Sequence, residues 1–222
     1  MNQRPFFRVF ILGGVCVSAC IGSAQAFDAN DFQIRKQIAM KGKIAEKISV
    51  SLYEEFRFAD NASDFYYIES DVGVTYPFLP VLAGAVHYRQ LFTEKNGGWV
   101  AEQRPHLNLM FYHSRDELKL ELRDRIELRF CGSDELKVRN RTRLKASYPV
   151  EIAAITLKTY VADEIFYDFK KEALNRNRVY IGASFPWTDK IGGDWYYLLE
   201  SNEKDDEWKN YHILGIKTYV KY

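Results

Sequence analysis

Cysteine is scarce: three in 222 residues, with only Cys131 beyond residue 20. That excludes a disulfide framework or a zinc ribbon and argues against redox chemistry. Excess charge of either sign is missing as well. Lys and Arg number 31 against 30 Asp and Glu, so the chain lacks the cationic surplus of a nucleic-acid binder, and its total charge implies no acidic or basic partner. Helical periodicity is absent beyond residue 30. What the chain does have is bulk. With 15 Tyr, 15 Phe and 4 Trp among 47% hydrophobic residues, it has too much apolar material to stay disordered.

Residues 1–26 read as a secretory signal. Arg4 and Arg8 supply the charge, Val9 to Ile21 the apolar stretch, and Ala24-Gln25-Ala26 the small-residue cleavage site. The apolar stretch is shorter than the roughly 20 residues of a permanent membrane helix. Val17-Ser18-Ala19-Cys20 offers a competing site, similar to a bacterial lipobox, at which Cys20 would carry a lipid. Cleavage after Ala26 leaves residues 27–222 as one domain with 29 basic and 30 acidic side chains.

That domain alternates at period two. In residues 117–130, Leu118, Leu120, Leu122, Ile126, Leu128 and Phe130 share one parity, broken only by Asp124. Glu117, Lys119, Glu121, Arg123, Arg125, Glu127 and Arg129 occupy the other. In residues 135–148, Leu136, Val138, Leu144 and Tyr148 oppose Lys137, Arg139, Arg141, Arg143 and Lys145. A helix would scatter these charges; a strand puts them in one row. The same test predicts strands at 32–41, 46–59, 65–76, 82–94, 98–113, 117–131, 135–148, 153–168, 175–185, 193–201 and 208–221. Most exceed ten residues, against an ordinary five or six, and about 9 to 11 cross a tilted bilayer.

Every second turn is marked by an aromatic and proline, at Tyr76-Pro77, Tyr148-Pro149 and Phe185-Pro186, and the turns between are polar. This two-ended pattern predicts an all-β, antiparallel up-and-down transmembrane β-barrel of ten to twelve strands. Because bacterial single-chain barrels normally have even strand numbers, ten strands beginning at residue 46, with both termini at the proline end, is one expectation, and residues 32–41 are then unassigned. A soluble periplasmic barrel that binds a ligand would show the same alternation with its faces reversed. Strand length, the aromatic rim and the last strand favour the membrane. Leu214, Ile216, Val220 and Tyr222 share a parity and end on an aromatic, which looks like the C-terminal signal read by the outer-membrane barrel assembly machinery. Trp99, Trp187, Trp195 and Trp208 fall near strand ends, where membrane interfaces favour amphipathic rings.

The chain resembles a bacterial outer-membrane family called domain of unknown function 2490 (DUF2490). The residues that carry the resemblance are Glu55-Phe56-Arg57, Tyr88-Arg89, Glu102-Gln103-Arg104-Pro105, residues 121–129, the Arg139/Arg141/Arg143 row, Asp163-Glu164-Ile165-Phe166 and Asn175-Arg176-Asn177-Arg178. The resemblance implies a β-barrel in the outer membrane of a Gram-negative bacterium, in contact with its lipids, and no established activity.

If apolar side chains face lipid, the charged parity faces the lumen, because an Arg or Lys exposed to lipid at midplane costs about 2 to 4 kcal/mol. The predicted lumen set is therefore Glu55 and Arg57; Arg89; Glu102 and Arg104; Glu121, Arg123, Arg125, Glu127 and Arg129; Arg139, Arg141 and Arg143; Glu164; and Arg176 and Arg178. Two functions follow. One is a porin-like pore for small anions or oligosaccharides, its arginine rows similar to those of the small oligogalacturonate porins. The other is a closed structural barrel filled by its own side chains. An enzyme needs a nucleophile beside a base. His87 and His106 face inward, His113 lies at a proline-end turn and His212 on the lipid side, and none is accompanied by a serine motif. No His, Cys and carboxylate spacing suggests a metal site, so neither catalysis nor a cofactor or metal is expected.

Overall fold

A computed structural model describes residues 29–132, 136–152, 155–204 and 207–222. The expected secretory leader with both candidate processing sites, and residues 133–135 of one expected polar turn, lie outside them. The strands are β1 (Phe32–Lys43), β2 (Ser49–Ala59), β3 (Asp64–Leu79), β4 (Leu82–Lys95), β5 (Gly98–Arg115), β6 (Leu118–Arg129), β7 (Lys137–Ile152), β8 (Ile155–Asp168), β9 (Ala173–Pro186), β10 (Ile191–Lys204) and β11 (Glu207–Lys221). They run from 11 residues in β2 to 18 in β5, long enough for each to cross a bilayer core at a tilt.

Each strand pairs antiparallel with its sequence neighbours, and β1 closes the barrel parallel to β11. Eleven strands fall within the expected ten to twelve, and the closure corrects only the version with ten strands beginning at residue 46. Residues 32–41 form a full wall strand, so the count is odd and the chain enters at the polar-turn end while leaving at the proline end. The physical reason lies in β1 itself. Gln33, Arg35 and Gln37 point inward and are buried, while Phe32 and Ile38 are exposed on the outside. Without this strand, β2 and β11 would each present an unpaired edge of backbone donors and acceptors. The main-chain N–H of the final residue, Tyr222, still donates to Lys41 O at 2.9 Å.

Turns are short at both ends. Asn96 and Gly97, at φ 51° and 79°, make the two-residue connection whose twist suits a hairpin. Asp60, Asn61 and Ala62 also take positive φ. Asp31 braces that turn from β1's side by accepting the backbone N–H groups of Asp60 and Asn61 at 3.2 and 3.0 Å.

The two faces sort as parity predicts. Val86, Leu107, Val161 and Ile181 stand outward with more than half of their surface exposed, and Glu127 and Glu164, pointing inward, have none. Asp124, the outward exception, accepts hydrogen bonds from Asn140 Nδ2 at 2.9 Å and Thr142 Oγ1 at 2.8 Å. Asp163 likewise accepts from Asn177 Nδ2 at 2.6 Å. All four tryptophans are outward and exposed, Trp99 and Trp208 at the polar-turn end, Trp187 and Trp195 at the proline end. Inside, the Tyr196 ring lies over Gly215, its partner on β11, where a Cβ would run into it. At Gly182, its partner on β9, a Cβ would meet the Tyr160 ring and the Cβ of Tyr196.

Candidate functional site

The inward rows place carboxylates of different strands where several guanidiniums can share them. Glu127 of β6 accepts from Arg139 at 2.6 Å and Arg141 at 2.7 Å, with Arg125 at 3.5 Å. Glu164 of β8 takes Arg123 at 2.6 Å and Arg141 at 3.0 Å, with Arg178 at 3.7 Å. Glu200 of β10 takes Arg178 at 2.6 Å and Arg35 at 2.8 Å, with Arg176 at 3.8 Å. Arg141 and Arg178 each serve two carboxylates, which links the three hubs into one chain along the wall. Beneath it Phe166 is fully buried. Its ring centroid lies 4.6 to 5.5 Å from the guanidinium carbons of Arg141, Arg178, Arg139 and Arg176. Within about 6 Å, the ring face attracts those cations.

Toward β2 to β5 the acids are better matched. Glu55 pairs with Arg57 and Tyr53 and accepts from Gln37 at 2.5 Å. Arg57 lies over the Tyr67 ring at 3.8 Å. Glu102 holds Arg104 and Arg129, each at 2.6 Å. Arg89 donates to Asp71 at 3.0 Å and forms an ion pair with Glu69 at the same distance. Closer to the proline end, Arg143 pairs with Glu121 at 2.8 Å.

These contacts follow the wall, joining strands no more than two apart, and they leave an axial cavity of about 710 Å³. Its lining runs from Lys95 and Lys204, at the polar-turn end, to Ser51, Asp194 and Lys217, near the proline end. Twelve arginines and four lysines line it against eight Asp and Glu. Adding Glu121 and Glu127, which stand behind that lining, still leaves the interior strongly basic. Such a cavity in a low-dielectric wall concentrates anions.

Every residue of the predicted lumen set faces this interior, and Glu127 and Glu164 are its most deeply buried hubs. Sequence reasoning missed Arg35, Glu69, Asp71 and Glu200 as members of the network, and Phe166 as its floor. All five have the inward parity of their strands. Their signal was weak because none stands in a run of alternating charge: Glu200 closes an otherwise uncharged stretch from Trp195 to Leu199. The inward placement of His87 and His106 agrees with their parity, and His212 lies on the outside, where its Nδ1 is 2.6 Å from Tyr197 Oη. The absence of a metal-like spacing in the sequence has a different outcome in three dimensions, because Asp71, His87 and His106 come together.

The family model described as "Protein of unknown function (DUF2490)" matches residues 32–211, from the start of β1 into β11. No curated protein matches the chain.

Proposed function

Because the chain belongs to the DUF2490 family, whose description gives no activity, we propose a function from its own geometry: an outer-membrane β-barrel whose basic lumen admits small anionic solutes. The observation that carries this reading is the axial cavity of about 710 Å³ with twice as many basic as acidic side chains on its lining. The volume falls in the range that holds a single small molecule, about 300 to 1,000 Å³. Surplus guanidiniums suit carboxylate or phosphate groups, which they bind as a two-pronged fork.

The membrane part rests on the outer face. Monomeric soluble proteins rarely expose contiguous apolar patches larger than a few hundred Å². Here exposed apolar side chains stand on the outside of every strand, with tryptophans at both ends, and Lys36, Glu54, Asp124 and Asp163 are among the charged exceptions. In water such a face would be an aggregation surface; against lipid it is the required one. The secretory-type pattern of residues 1–26 and the outward Leu214, Ile216 and Val220 of β11 fit export and insertion by the barrel assembly machinery.

A liposome-swelling assay tests the solute class. Proteoliposomes of the purified chain are placed in isotonic solutions of a hexose, the corresponding sugar acid and the corresponding amino sugar. The expected order of influx is acid, then neutral sugar, then amine. Equal rates, or entry of the amine first, would contradict the basic-lumen reading. No influx of any solute would favour the closed barrel.

A further inference from the structure

On the β3–β4–β5 wall, strand register sets Gly73 opposite His87 and His87 opposite His106, with Asp71 one inward position from Gly73. His87 Nδ1 lies 2.6 Å from Asp71 Oδ1. His106 Nε2 lies 3.6 Å from Asp71 Oδ2, too far for a hydrogen bond. The two imidazoles stack with centroids 4.8 Å apart at 12°. One candidate donor atom from each of the three side chains falls within 4.8 Å of the others.

The tautomer of His106 follows from its surroundings. Its Nδ1 is 3.3 Å from the carbonyl oxygen of Arg104, which can only accept, so Nδ1 carries the proton and Nε2 presents a lone pair. The side chain is fully buried, and Nε2 has no hydrogen-bond partner. Asp71 accepts from Arg89 Nε at 3.0 Å and lies against His87 Nδ1, so the atom left without a partner is Nε2 of His106, a buried lone pair aimed at a carboxylate. A cation between the two satisfies that lone pair. Gly73 fits the same picture: any Cβ there would collide with the His87 ring, so the glycine lets that imidazole lie against the wall beside Asp71.

We propose that Asp71, His87 and His106 bind one divalent first-row transition-metal ion, of which zinc(II) is the reference case, on the lumen wall. Two imidazoles and a carboxylate favour zinc, copper or nickel over magnesium or calcium, which prefer oxygen ligands. Metal–ligand distances of about 2.0 to 2.2 Å require the triad to contract around the ion. Arg89 opposes binding, because it donates to Asp71 at 3.0 Å. Glu69, at the same distance from Arg89, can keep that guanidinium when Asp71 turns to the metal. The site stands whether or not the lumen conducts.

The test is calorimetric titration of zinc chloride into the purified, chelator-stripped barrel, with X-ray absorption on the zinc-loaded protein. One zinc per barrel is expected, bound through two imidazoles. His87→Ala and His106→Ala should each weaken it by roughly 100-fold or more, while a His113→Ala/His212→Ala double variant should bind as before. Absence of stoichiometric binding would overturn the proposal, as would undiminished binding by the His87 and His106 variants or loss in the double variant. The absorption spectrum of the unaltered protein decides even if a variant fails to fold, because fewer than two imidazoles around the zinc excludes this site.

Discussion

The arc of wall from β6 to β10 and the arc from β3 to β5 share the same pleat and the same inward parity, yet they hold their charges differently. In the first, Glu164 and Glu200 are each divided among three guanidiniums and Glu127 among four, Arg89 reaching it from β4 at 3.9 Å, and positive charge is left over. In the second, Glu69, Asp71 and Glu102 meet Arg89 and Arg104, with Arg129 reaching in from β6, and histidines take the place of further arginines. The difference teaches that a nearly neutral chain can build a polarised interior. Acids set where the guanidiniums are anchored, and the number of arginines per acid sets the local field.

Breaking a hub should expose the contrast most strongly. Glu164→Gln removes the charge shared by Arg123, Arg141 and Arg178 while leaving them buried, and losing one partner of a buried ion pair costs about 3 to 5 kcal/mol. Urea unfolding of the refolded barrel should register that loss, and Glu102→Gln, in the better-matched arc, should lose less. The outside should make no such distinction. Val86→Arg on β4 and Ile181→Arg on β9 replace residues of nearly equal exposure, 62% and 59%. Each should cost about 2 to 4 kcal/mol of stability in lipid vesicles if midplane lipid surrounds both arcs; no cost at either site would point to a water-exposed face. Gly215→Ala forces Tyr196 off the wall and should cost about 1 to 3 kcal/mol by overpacking, read from the thermal midpoint. The smallest effect on stability belongs to Arg176→Gln. Arg176 is held by long contacts, 3.8 Å to Glu200 and 5.5 Å to the Phe166 ring, and is partly exposed, so its loss should change stability by about 1 kcal/mol or less while lowering the preference for anions in a selectivity measurement.

Much of this was legible in the sequence, for a definite reason. Parity is a local property, so the rows Arg123/Arg125/Glu127/Arg129 and Arg139/Arg141/Arg143 announce strands and an inward face before any partner is known. Strand positions follow from the same pattern with small shifts, as in β7, expected at residues 135–148 and found at Lys137–Ile152. Register is not local. That Glu164 collects Arg123 from two strands away, that Tyr196 rests on Gly215, and that His87 faces His106 all depend on which residues stand side by side, and alternation is silent on that. Closure was hidden for the same reason. β1 pairs parallel with a strand that begins some 175 residues later, and no pattern within residues 32–41 indicates its direction.

The most direct test of a basic, anion-admitting lumen is the reversal potential of the purified barrel in a planar bilayer under a potassium chloride gradient. The proposed function predicts conductance with a potential displaced toward that of chloride, and a smaller displacement for Arg176→Gln. A potential displaced toward that of potassium, or bilayers that carry no current despite folded, inserted protein, would contradict the account.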